Sequence, residues 1–178
     1  STRPEPILAL LRQHPQAVRH ALDAVLQTNL NFLDALLDAG IDGIFLATQF
    51  ARSDLLSAEE FHTFSLPYDD ALLNHVKDKT WFNILHIHGE HHLLFEPYLD
   101  YPVQAFNWEN VPHDVPNEQR TGVAELRART DKLLIAGIDQ HQDFHVEGGN
   151  REAVKARLAQ RLTQLREEGG DRGIIFAP

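Results

Sequence analysis

The stretch Trp81-Phe-Asn-Ile-Leu-His-Ile-His-Gly-Glu-His-His92 carries an apolar, strand-like run into two histidines, a glycine and a polar segment. Alternate residues of a strand share a face, so His86 and His88 project the same way as Phe82 and Ile84. Two imidazoles then stand side by side at the C-terminal end of a buried strand, where α/β folds place their chemistry. Imidazole is the commonest metal ligand and titrates nearest neutrality, so the pair suits zinc or proton transfer. Two hydrogen-bonded core histidines before a polar helix start would explain the same letters. Buried titratable groups at a strand end tip the reading toward function.

The rest of the chain alternates around this strand. Residues 15–39 set Val18, Ala21, Leu22, Val25, Leu26, Leu33, Leu36 and Leu37 at helical spacing, with Gly40 as the stop. A strand follows over 41–47. Ser57 and Glu60 form a capping-box pattern for a helix running toward Lys77, interrupted at Pro67. After the strand 81–88, residues 90–99 read as a helix, 103–107 as a strand, 118–129 as a helix and 133–138 as a strand. Asn150 caps an amphipathic helix carrying Val154, Leu158, Leu162 and Leu165, and 174–177 makes a fifth strand. Strands separated by helices predict a parallel α/β sheet, and no glycine-rich phosphate loop follows any of them. Short, evenly interleaved strands suit a (β/α)8 TIM barrel, to which this chain contributes about five C-terminal β/α units.

Composition bounds the class. The 178 residues fit a single domain, 1–178, and the 43% hydrophobic fraction supplies a core. A net charge of −10 argues against nucleic acid or an anionic membrane as partner. With no cysteine there is neither a disulfide nor a thiolate site in this sequence. No apolar run reaches the length of a membrane span, so the cytoplasm is the expected compartment. The sequence has no methionine and stops on the strand-like Gly173-Ile-Ile-Phe-Ala-Pro178. It reads as part of a longer barrel, without the N-terminal portion and the extreme C-terminus; a processed mature chain is the alternative.

Ala39-Gly-Ile-Asp-Gly-Ile-Phe45 and Leu55-Leu-Ser-Ala-Glu-Glu-Phe61, with Leu66-Pro-Tyr68, precede His86-Ile-His-Gly89, Phe106-Asn-Trp108 and Ala136-Gly-Ile-Asp-Gln140. In that order they resemble the C-terminal half of the uroporphyrinogen decarboxylase superfamily. His86-Ile-His-Gly89 is similar to the His-x-Cys-Gly of its cobalamin-dependent methyltransferase branch. Phe106-Asn-Trp108 is similar to the Asp-Trp strand end of the decarboxylases, and Ala136 to Gln140 to their Gly-Asn-x-Asp-Pro turn.

The resemblance implies two chemistries. The methyltransferases bind zinc through His-x-Cys and a later cysteine, and the metal activates a thiol. Here His88 replaces the first cysteine, which still suits zinc and leaves the ion more Lewis acidic. The decarboxylases need no cofactor, hold an acidic tetrapyrrole through arginine clusters and protonate a pyrrole ring. This chain has Asn107 for their aspartate and Asp139-Gln140 for their Asp-Pro. The expectation is metal-assisted methyl transfer on a tetrapyrrole- or corrinoid-linked, or related, small substrate. A uroporphyrinogen decarboxylase of porphyrin biosynthesis, and a non-catalytic tetrapyrrole- or corrinoid-binding barrel, are the alternatives.

His86, His88 and Asp139 are the candidate catalytic residues, the two histidines being zinc ligands as well. Glu90, Asp139 or a residue after Pro178 is the expected third ligand. Gln49, Phe50, Asn107, Trp108 and Gln140 are candidate substrate-binding residues. Asn107 and Trp108 could bond to and stack on a planar ligand, although a buried tryptophan more often packs. Asp139 could equally cap the turn that follows it. His91 and His92 fall at the rim, and His141 and His145 could close over a ligand. A small-molecule substrate and a corrinoid protein are the implied partners, with a homodimer open.

Overall fold

The fold comes from a computed structural model that describes residues 4–111, 115–139, 142–144, 150–168 and 172–177. Strands β1 Phe45–Thr48, β2 Ile84–Ile87, β3 Ala105–Asn107, β4 Leu133–Gly137 and β5 Ile174–Ala177 form one sheet. Their order is β1-β2-β3-β4-β5 and every pairing is parallel. The helices are α1 Glu5–Gln13, α2 Pro15–Asp38, α3 Ala58–Phe64, α4 Leu66–Val76, α5 Val123–Arg127 and α6 Arg151–Glu167. Sequential parallel strands joined by crossovers are the winding of a TIM-barrel wall. Among the described residues no helix is long and apolar enough to cross a membrane.

Register sorts the two faces of the sheet. Leu46, Leu85, Phe106 and Leu134 are level across four strands, and Leu85, Phe106 and Leu134 are fully buried. Phe61, Tyr98, Phe95, Trp108, Val123, Leu126 and Leu165 complete the core on that side. The other face carries Phe45, Ile84, Ala105 and Leu133 in one row, then Ala47, His86, Asn107 and Ile135 in the next. At its two edges Phe45 is 58% exposed and Ile175 41%. Both edges of the sheet therefore present apolar side chains.

Local signals place the elements. Ser57 Oγ accepts from the Glu60 N–H at 3.1 Å while Glu60 Oε2 accepts from the Ser57 N–H at 2.9 Å, opening α3. Pro67 sits in the first turn of α4, where its missing N–H costs nothing, so the predicted long helix divides at Ser65. Asn150 Oδ1 accepts from the Ala153 N–H at 2.8 Å and starts α6. At the opposite end of the sheet the fully buried Asn83 ties three strands together. Its Oδ1 accepts from the Ile44 N–H at 3.1 Å, and its own N–H donates to Gln104 Oε1 at 2.6 Å.

Two predicted helices do not form as expected. Residues 90–99 contain only a 3-10 turn, Glu96–Tyr98. The Leu94 N–H donates to Ala51 O at 2.9 Å and His92 O accepts from the Ser53 N–H at 3.0 Å. Backbone groups a helix would need are thus taken by the loop after β1. Residues 118–129 divide into a 3-10 turn, Asn117–Gln119, and α5, which starts after Gly122. Thr121 O there accepts the indole N–H of Trp108 at 2.8 Å. The helix α1 was not read from the sequence. It packs on α2 and brings Arg12 to Glu60 at 2.7 Å, which, with the Ser57 N–H, lowers the Glu60 carboxyl to about 2.

Candidate active site at the ends of β2 and β3

Parallel register sets His86 level with Asn107, and the side chains meet at 2.6 Å between Nδ1 and Oδ1. Asn107 Nδ2 donates to Ile135 O at 3.0 Å, which fixes the amide so that its oxygen faces the imidazole. An amide oxygen can only accept, so His86 Nδ1 carries the proton and Nε2 the lone pair. That lone pair lies 3.5 Å from His88 Nδ1. Phe45 stacks on the His86 ring with centroids 5.5 Å apart. Burial lowers the His86 pKa, and the nearby charge of His88 acts in the same direction, against the opposing Asn107 hydrogen bond. At neutral pH His86 is a neutral imidazole with a directed lone pair.

A cavity of about 240 Å³ opens here, lined by His86, His88, Gly89, Asn107, Trp108, Glu109 and Ile138. Gly89 has φ +135°, and a β-carbon on it would stand 2.7 Å from Arg52 Cδ. Only glycine lets the chain turn beneath that side chain. Glu109 was missed in the sequence. The alternation that pairs His86 with His88 also pairs Asn107 with Glu109, and would have found it.

Asp139 stands at the same end of the sheet, just beyond β4, and is fully buried. Its Oδ1 accepts from the Gln142 N–H at 3.0 Å, and its carbonyl from the Asp143 N–H at 2.9 Å. Asp143 returns the bond, Oδ2 accepting from the Asp139 N–H at 2.9 Å. Asp143 is fully buried too, with Arg157 and Arg161 of α6 at 2.8 and 2.9 Å. Asp139 thus caps a turn that Asp143 locks to α6, and its neighbour Ile138 is what lines the cavity.

The remaining candidates separate. Gln49 is exposed and, continuing the β1–β2 register by one residue, comes level with His88. Phe50 does not join that layer. It packs with Leu8, Leu11, Val18, Leu22 and Phe64, because the next residue along the strand direction points to the helical side. Trp108 lines the cavity but is only 1% exposed, its ring against Phe95 and its N–H on Thr121 O. Among the described residues no three histidine or acidic side chains converge on one point as a metal site. Glu90 does not line the cavity. His91 turns to Arg52, with Nε2 and Nη2 3.0 Å apart, instead of entering a metal shell. Gln140, His141 and His145 lie outside the described residues.

The residues present fit zinc in two of its positions. Two nitrogens bound at roughly 2 Å to one tetrahedral zinc stand about 3.3 Å apart, close to the imidazole spacing found here. The amide on His86 Nδ1 also holds the ring in the tautomer that leaves Nε2 free to bind.

No curated protein matches the chain. The family model described as Uroporphyrinogen decarboxylase (URO-D) matches residues 1–178. A match of that extent agrees with the parallel β/α order and with polar residues gathered at the strand ends: the chain belongs to the uroporphyrinogen decarboxylase family.

Proposed function

We propose that this enzyme of the superfamily, a decarboxylase relative, carries out metal-assisted methyl transfer with His86 and His88 as zinc ligands. The observation that carries the reading is the 3.5 Å separation of His86 Nε2 and His88 Nδ1, with Asn107 fixing the tautomer of the first. A bound zinc ion would supply a Lewis acid that keeps a thiol acceptor as its thiolate. The chain's own groups prepare the place. Asn107 orients His86 and makes Nε2 more basic, and Phe45 covers one face of its ring. A corrinoid protein or a small methylated molecule would be the methyl donor.

The cavity wall supports this reading over cofactor-free decarboxylation of an acidic tetrapyrrole. Among the described residues lining it there is no lysine or arginine to hold substrate carboxylates. The test is metal analysis of the full-length protein beside a His86→Ala, His88→Ala double variant. Zinc in the first and not the second supports the reading. Equal content in both, or none in either, removes it and leaves metal-free chemistry.

A further inference from the structure

We propose that Asp69 and Tyr98 are positioning residues of this site: from behind the sheet they hold the end of β1, and through it the backbone of His88. The inference rests on the reading of His86 and His88 as ligands and says what keeps the second of them in place. Asn107 orients His86 from the β3 side. His88 lies one residue past β2, and its N–H donates to Thr48 O at 3.1 Å, so its place depends on where β1 ends. β1 is an edge of the sheet, with β2 its only strand neighbour among the described residues. A strand end held from one side frays unless something else fixes it.

Thr48 is fixed from the helical side. Thr48 and Tyr98 are both buried, and Thr48 Oγ1 stands 3.3 Å from the Tyr98 hydroxyl. That hydroxyl donates to Asp69 Oδ2 of α4 at 2.7 Å. A phenol has one proton, so with that proton on Asp69 its oxygen is left to accept from Thr48. An ionised carboxylate only accepts, which gives the chain from Thr48 through Tyr98 to Asp69 a single direction. Ser65 Oγ adds a donor 3.4 Å from the same carboxylate oxygen, and no cation pairs with Asp69 among the described residues. Burial pushes the Asp69 carboxyl up, so folding disfavours the charged form. An apolar side chain would fill the space behind β1 without that penalty, and what the carboxylate adds is the direction of the hydrogen bonds. Tyr101 makes the contrast. Its ring meets that of Tyr98 at 5.0 Å, but its hydroxyl donates to Leu66 O at 3.3 Å rather than toward β1.

Full-length Tyr98→Phe tests this beside wild type, Tyr101→Phe and the double histidine variant. Two quantities are read: hydrogen exchange of the His88 amide in the metal-free protein, and zinc affinity by competition with a chromophoric chelator. Tyr98→Phe should speed exchange at His88 and weaken zinc about tenfold, whereas Tyr101→Phe should change neither. If Tyr98→Phe does not fold, the double variant Tyr98→Phe, Asp69→Leu takes its place, since it removes both ends of the bond together. Exchange or zinc affinity at the wild-type level in the folded variant would overturn the inference, and so would an equal loss in Tyr101→Phe. Absence of zinc binding in wild type would remove the metal reading alone, and exchange at His88 then decides the positioning role by itself.

Discussion

The sheet ends in two polar corners, and they spend their valence in opposite ways. At β4 the carboxylate of Asp143 is fully buried and answered on every side, by Arg157, Arg161 and the Asp139 N–H. At β2 and β3, His86 has one nitrogen satisfied by Asn107 and the other directed at His88 beside an open cavity. Both corners look catalytic as letters, since each puts ionisable groups after an apolar strand. The difference is whether anything remains to bind a third party. A closed network fixes a loop, whereas a lone pair facing a cavity can hold a ligand.

The largest effect should come from the closed corner. Asp143→Ala leaves two guanidinium groups and a buried backbone N–H without their acceptor, and should cost about 3 kcal/mol of stability. Urea denaturation at neutral pH measures it. Zinc uptake at the histidines should stay at the wild-type level under conditions where the variant is folded. If Asp143→Ala is as stable as wild type, or loses zinc while folded, the corners are not separate devices.

Asn107→Leu should reverse that pattern. The shape is nearly kept, and the loss of the His86 and Ile135 hydrogen bonds should cost about 1 to 2 kcal/mol. The tautomer of His86 is then no longer fixed, and zinc affinity should fall about tenfold or more. Chelator competition and denaturation on the same preparation give the two numbers. A variant that loses stability but keeps its affinity would make Asn107 a packing residue.

The contrast was only half legible in the sequence. Strands β2 to β5 announce themselves as short apolar runs, and their alternation with helices implies the parallel order. His86 and His88 follow from strand parity alone. The same parity, carried two residues past Asn107, would have produced Glu109. Asp143 could not be found this way, because it lies in an aperiodic polar segment and its partners come from a helix fourteen and eighteen positions on. Residues 90–99 misled for a related reason. Their composition allows a helix, but the loop after β1 captures Leu94 and His92, a tertiary contact with no local signature. Phe50 shows parity continuing past the strand end, where the sequence reading had grouped it with Gln49.

The smallest effect, and the most direct probe of the open corner, is the pH dependence that His86 gives to stability. Its pKa is lowered in the folded protein, first by burial and then by the neighbouring His88 charge. A free histidine in the unfolded chain titrates near about 6.5. Between those two values the unfolded chain binds more protons than the folded one, so stability rises with pH across the window. Above the unfolded value the contribution is fully present. As pH falls, the unfolded chain gains a proton that the folded protein resists, and the contribution is lost by the time the folded pKa has been passed. Metal-free wild type should therefore lose its advantage over His86→Gln between pH 8 and pH 5, the midpoint of the loss lying below about 6.5. Denaturant midpoints of both proteins across that range are the measurement. An advantage that grows toward acid would mean that the folded protein favours the imidazolium, and the directed lone pair on which the open corner depends would be gone.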